Sequence, residues 1–94
     1  AVMEIIVNAG QSRSLCFEAL HAARTGNIDE ARLLLNEADG YARRAHQMQT
    51  QLIEQDAGEA RQPMTLIMVH AQDHLMNSLL AREFSEELIH LYQR

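Results

Sequence analysis

The sequence has no lysine and no tryptophan, and only one cysteine, one proline, two phenylalanines and two tyrosines among its 94 residues. Each scarcity excludes something. A lone cysteine, Cys16, makes no internal disulfide, and a secreted domain this short normally needs several such staples, so the expected location is cytoplasmic. Few aromatics and a surplus of Ala, Leu, Met, Glu, Gln and Arg, which lose least on entering a helix, leave little room for an all-β fold. No apolar run approaches the ~20 residues of a membrane span, and no basic stretch leads into an apolar one as in a signal peptide. The chain opens on Ala1 with a helical pattern already under way, which leads us to expect further native residues ahead of it. Eight arginines against thirteen acids leave a net charge of −5, a field that repels phosphate backbones and anionic lipid and argues against nucleic acid or membrane insertion.

What is present is enough to fold. With 47% apolar and 22% charged residues the chain is globular in composition, and its length allows one domain, residues 1–94, without a large self-contained cleft. Val2, Ile5, Ile6, Ala9, Cys16, Ala19, Leu20 and Ala23 recur at helical spacing and predict a first helix over residues 2–24. Gly10 and its small polar neighbours lie inside it, suggesting close approach by another helix or a partner. Thr25-Gly26-Asn27 stops this helix, and Asn27 with Glu30 has the form of an N-terminal capping box. Ile28, Ala31, Leu35, Ala38, Ala42, Ala45, Gln49 and Leu52 then alternate three and four apart, a seam suited to coiled-coil packing, in a helix expected to fade near Glu54. Leu34, Tyr41 and Met48 widen its face to cover two neighbours. Pro63, tolerated at a helix's first position, opens a third segment, residues 63 to about 93. Its expected seam runs through Leu66, Val69, Asp73, Met76, Leu80, Glu83 or Phe84, Glu87 or Leu88, and Leu91. The prediction is an all-α, antiparallel, up-down-up three-helix bundle whose small core calls for oligomerisation.

One stretch breaks the apolar pattern. His70, Asp73, His74 and Asn77 are three or four residues apart and share a helical face. Asp73 falls on the seam, where an unpartnered buried carboxylate is costly. It could bond a histidine or arginine of a neighbouring helix. Alternatively, third helices of several copies meet at an axis, and the converging carboxylates are neutralised by a hard divalent ion such as Mg²⁺. His70 is either an ordinary core or interface histidine or a nucleophile, because an unperturbed imidazole, with a pKa of about 6.5, is mostly neutral near pH 7 and can accept a phosphoryl group. His21, His46 and His90 are expected on the surface. The run His70-Ala71-Gln72-Asp73-His74 also imitates a zinc-hydrolase motif, but such a site needs a third ligand and a substrate cleft, and the later chain offers no more than Glu83, Glu86, Glu87 or His90 on the same helix.

The segments VHAQDHLM (residues 69–76), LIEQDAGEARQP (52–63) and NAGQSRSLCFEAL (8–20) resemble the IIA component of the lactose/cellobiose class of the bacterial sugar phosphotransferase system, nearly end to end. The last stretch, SLLAREFSEELIHLYQR, is more similar to the diacetylchitobiose/cellobiose branch than to the lactose branch. The resemblance implies a homotrimer of three-helix protomers, a nine-helix bundle with the third helices around the axis. It places the phosphorylated histidine at His70, the aspartate that gathers around an axial divalent metal, Mg²⁺, at Asp73, and site-lining residues at Gln72 and His74. It implies phosphoryl transfer from phospho-HPr to a cysteine of the cognate IIB protein, and indirectly to a membrane-embedded IIC that takes up a β-linked disaccharide (cellobiose, diacetylchitobiose or lactose). A carrier that meets two protein surfaces should present its nucleophile on an exposed helix face with an apolar rim, for which Val69 and Met76 are candidates. Cys16 has no role in this chemistry and is expected to be buried. A metal-dependent hydrolase and a purely structural helical bundle are the competing function classes.

Overall fold

In the computed structural model, residues 2–58 and 65–94 are described. They form α1 (Val2–Arg24), α2 (Ile28–Ala57) and α3 (Leu66–Tyr92), and no strand occurs among the described residues. The bundle measures 52 × 19 × 17 Å, one helix length by two helix widths. α1 is the central element, packing on α2 and on α3 more extensively than those two pack on each other.

The turn between α1 and α2 is set by backbone geometry. Gly26 has φ +88°, in the left-handed region where a side chain is strained. Its N–H donates to the Ala23 carbonyl at 3.1 Å, and the Asn27 N–H donates to the Ala22 carbonyl at 2.8 Å, the paired bonds of a Schellman stop. The expected capping box forms only in part. Asn27 occupies the N-cap position, but its amide donates to the Glu30 carboxylate at 2.8 Å and neither side chain caps a backbone N–H. α2 runs past Glu54 to Ala57, because Gln55, Asp56 and Ala57 tolerate helix and the first breaker is Gly58. At the start of α3 the Thr65 hydroxyl accepts from the Met68 N–H at 3.3 Å. The role expected of Pro63 lies outside the described residues.

The core is rich in small side chains. One cluster joins Leu15, Cys16, Ala19, Ala22 and Ala23 of α1 to Ala31, Leu35 and Ala38 of α2 and Ile89 of α3. The other joins Ile5 and Ala9 to Ala45, Leu52, Ala71 and Leu75. Alanines let the helices close in, and Ser12 ties them, its hydroxyl donating to the Ala38 carbonyl across the α1–α2 interface at 2.9 Å. Gly10 plays no such part within the protomer, since a Cβ there would meet nothing within 4 Å. Cys16 is buried, as expected, and burial raises its thiol pKa while a hydrogen bond with Ser85 opposes the shift.

The seam expected on α3 is not the one that packs inside the protomer. Ala71, Leu75, Ser78, Ser85 and Ile89 face inward. The larger residues of the expected seam face out, with Leu66 85% exposed, Phe84 61% and Met76 57%. The two stripes are offset by two residues, about 200° around a helix with 3.6 residues per turn. Inward serines cost little because each buried hydroxyl is bonded, as when Ser78 donates to the Leu75 carbonyl at 2.8 Å. Among the described residues no buried side-chain nitrogen or oxygen lacks a partner.

Candidate functional site

Helical periodicity brings His70, Asp73, His74 and Asn77 into one row along the first half of α3. The inward set of that half, Ala71, Leu75 and Ser78, fixes its rotation, so the row emerges at the surface beside α1. There it lines an open groove of about 550 Å³ together with Arg13 of α1. The rings of His70 and His74 stand edge to face, with centroids 4.4 Å apart and planes at 86°. Their Nε2 atoms are 3.1 Å apart, so one nitrogen carries the proton and the other accepts it. His70 is exposed and His74 is partly buried beneath it.

Asp73 lies beside the histidines on the outward face. Its carboxylate is exposed and makes no hydrogen bond or ion pair among the described residues, so the expected bond to a histidine or arginine of a neighbouring helix does not form. Nor is it buried in the protomer, because the seam it belongs to faces away from the core. Gln72 does not join the groove. Its amide oxygen accepts a hydrogen bond from Gln49 of α2, at the partly buried contact between the two helices. Two residues from His70 and two from His74, it sits on the far side of the helix from both.

Arg13 is the groove residue that the sequence reading did not single out as functional. Its placement follows from the burial of Ala9, Ser12, Leu15 and Cys16, which turns the intervening residue outward. Its guanidinium lies over the Phe17 ring, 5.5 Å from the centroid. The signal in the sequence was an arginine beside a buried serine in the small polar stretch of α1, which becomes legible only when α1 and α3 are placed together.

The rim near His70 is apolar. Leu66, Ile67 and His70 line a second shallow depression of about 450 Å³ at the start of α3. Val69 and Met76 are exposed nearby along the same helix. Among the described residues the histidines sit on an open surface rather than in an enclosed cleft.

The donor set bears on a metal. Among the described residues no group of three or more His, Cys, Asp or Glu side chains is placed to hold an ion. The two Nε2 atoms of His70 and His74 are close enough to share zinc, and among the described residues no third ligand joins them. Asp73 offers a hard divalent ion a single carboxylate, and that donor fits such an ion only where copies from other protomers converge on it.

A second polar cluster lies farther along α3. Arg82 is bidentate to Asp39 of α2, Nε to Oδ1 at 2.6 Å and Nη2 to Oδ2 at 3.0 Å, and reaches Glu86 at 3.2 Å. Arg32 of α2 closes on the other oxygen of Glu86, which His90 also approaches at 3.1 Å. The Arg32 hydrogen bond is the chief cause holding the Glu86 carboxyl below its usual range, and the bond to Asp39 raises Arg82. His90 is exposed, as are His21 and His46, in line with the surface positions expected for all three.

Comparison with known proteins places these features in a wider set. Residues 1–93 match the family described as PTS system, Lactose/Cellobiose specific IIA subunit. The N,N'-diacetylchitobiose-specific EIIA component of Escherichia coli K12 is 46% identical over 93 residues, 99% of this chain and 80% of the relative. Among solved structures, the cellobiose-specific enzyme IIA of Bacillus anthracis superimposes with a TM-score of 0.95 at 36% identity, covering 98% of this chain and 84% of that one. The IIA(Chitobiose) chain solved in complex with HPr, from Escherichia coli, gives 0.85 at 46% identity, covering 98% and 89%.

Proposed function

The chain belongs to the lactose/cellobiose-specific IIA family of the phosphotransferase system, and on that premise we propose that it is a phosphocarrier whose nucleophile is His70. The observation that carries this reading is an exposed imidazole at the edge of an open groove, with Ile67 beside it, whose hydrogen bond among the described residues is to a second imidazole. Such a site is reachable by two protein surfaces in turn. HPr is the donor, in keeping with the complex that the Escherichia coli relative forms. In the transfer, the lone pair of a His70 ring nitrogen attacks phosphorus and a phosphorus–nitrogen bond forms. The bond from phosphorus to the donor breaks, the electron pair staying with the donor, which takes up a proton while His70 releases the one on its other ring nitrogen. A thiolate of the cognate IIB cysteine then attacks phosphorus, and His70 leaves as the neutral ring after recovering a proton. His74 holds His70 in place through the Nε2 contact and selects which nitrogen carries the lone pair.

The outward stripe of α3 supports assembly as a homotrimer. Leu66, Val69, Met76, Leu80, Phe84, Leu88 and Leu91 are large, apolar and exposed along one helix, spaced three and four apart for the most part, which is the pattern of a coiled-coil seam. Three α3 helices around an axis would cover it and bring three Asp73 carboxylates together. That set of oxygens suits a divalent ion such as Mg²⁺, which would neutralise their mutual repulsion. The sugar is a β-linked disaccharide, diacetylchitobiose or cellobiose by the likeness of the relatives, and it is selected by the membrane component IIC, with no need to touch this chain. The site of action is the cytoplasm. No described helix is long and apolar enough to cross a membrane.

The test is phosphoryl acceptance from phosphoenolpyruvate through enzyme I and HPr. The wild-type chain should become labelled and His70→Gln should stay folded, by circular dichroism, but unlabelled. Full labelling of His70→Gln would remove His70 as the acceptor.

A further inference from the structure

We infer that Arg13 is a catalytic residue of the phosphoryl transfer, its guanidinium binding the oxygens of the phosphoryl group as the group arrives at and departs from His70. This deepens the phosphocarrier reading and rests on it. The transferring phosphoryl brings about two negative charges into the groove that holds His70. Among the described residues, Arg13 is the only arginine that lines the groove, beside His70, Asp73, His74 and Asn77. Among the described residues it pairs with no carboxylate, and its contact is the Phe17 ring, which steadies the side chain without neutralising it. Its position is built in, because buried Ser12 locks α1 against Ala38 of α2 and thereby turns Arg13 toward the outside of α1. A planar guanidinium offers paired N–H donors in a fork that matches two phosphoryl oxygens.

The chemistry needs such a group most while charge is spread over the three equatorial oxygens, with the bond to the donor breaking and the bond to His70 forming. A cation placed there before the reaction lowers the barrier without having to reorganise. Because the groove is open to water, the effect is smaller than in an enclosed site.

Steady-state transfer from phospho-HPr to the chain separates the possibilities, using wild type, Arg13→Gln, Arg13→Lys and the charge control Arg44→Gln, whose guanidinium lies over Tyr41 on α2. Arg13→Gln should lower kcat by about 10- to 100-fold with KM for phospho-HPr changed less than about threefold. Arg13→Lys should recover part of the loss, and Arg44→Gln should match wild type. An unchanged kcat in Arg13→Gln would overturn the inference, as would a rise in KM alone, which is the mark of a docking residue. If Arg13→Gln loses its helical circular dichroism, Arg13→Lys, which keeps the charge and loses the fork, decides by the same kcat criterion. Wild type left unlabelled by active phospho-HPr would instead sink the phosphocarrier reading, and this inference with it.

Discussion

The two polar clusters on α3 contrast in what their charges face. In the second half of the helix Arg82 and Glu86 are joined to Asp39 and Arg32, so acids and bases alike have partners. In the first half His70, Asp73 and Asn77 share a groove with Arg13, and the bond among them is the one between the two imidazoles. The closed cluster ties α2 to α3 where their apolar contact is thin. The open cluster ties nothing together, and its support is the apolar seat of Ala71 and Leu75 beneath it. Charges that satisfy one another serve the fold, whereas groups left uncommitted on a well-seated helix are available for chemistry.

The comparison breaks if the apolar seat is not what supports the open cluster. Leu75→Ala should cost about 2–5 kcal/mol in chemical denaturation, because Leu75 of α3 is fully buried in the cluster it forms with Ile5 and Ala9 of α1 and Ala45 and Leu52 of α2, and its loss leaves a cavity. A loss below about 1 kcal/mol would mean that the first half of α3 is held by something else. Arg82→Ala should cost less, about 1–2 kcal/mol, because its partners stay partly hydrated, and phosphoryl acceptance should be unchanged. Loss of labelling in that variant would join the two clusters into one functional unit.

The closed cluster also predicts a pH dependence. Glu86 has a folded pKa held below its ordinary value of 4.5, so its contribution is fully present above about pH 4.5 and is lost as pH falls through the lowered value. The melting temperature of wild type should therefore exceed that of Glu86→Gln at pH 7, with the gap closing under acid. A gap that does not depend on pH would show that the carboxylate contributes by packing. The smallest effect belongs to the outward face. Asp73→Leu should remain folded, with a stability change within about 0.5 kcal/mol at the protomer level, since the carboxylate has no partner there. Under the proposed homotrimer, sedimentation equilibrium of this variant should still give a trimer, apolar groups replacing charges that repel. A monomer would mean that the carboxylates and their ion specify assembly.

Much of this was legible in the sequence, and the exceptions have physical causes. The bounds of α1 and the turn at Gly26 follow from strong local signals, a periodic run and a residue able to adopt positive φ. The row of His70, Asp73 and His74 follows from spacing alone. The inward face of α3 did not follow, because large apolar residues draw attention to the stripe through Leu66, Met76 and Leu80, while the packed stripe is made of Ala71, Ser78 and Ser85 with only Leu75 and Ile89 of any size. Small residues mark where helices come close, and hydropathy gives them little weight. Gln72 is placed at the site by the family resemblance of its motif, and within the protomer its side chain turns to Gln49 of α2, because neighbours in a helix point apart. Arg13 is nearly sixty residues from His70, and no local pattern links them.

The most direct test of the central claim is to map the phosphoryl group after incubation with phosphoenolpyruvate, enzyme I and HPr. Cleavage after Arg61 and Arg82 yields one peptide, residues 62–82, that contains both His70 and His74, so gentle fragmentation within that peptide has to tell them apart. The account predicts a single acid-labile phosphoryl group on fragments that hold His70. A phosphoryl group on His74, or none on either histidine while phospho-HPr is present, would contradict it.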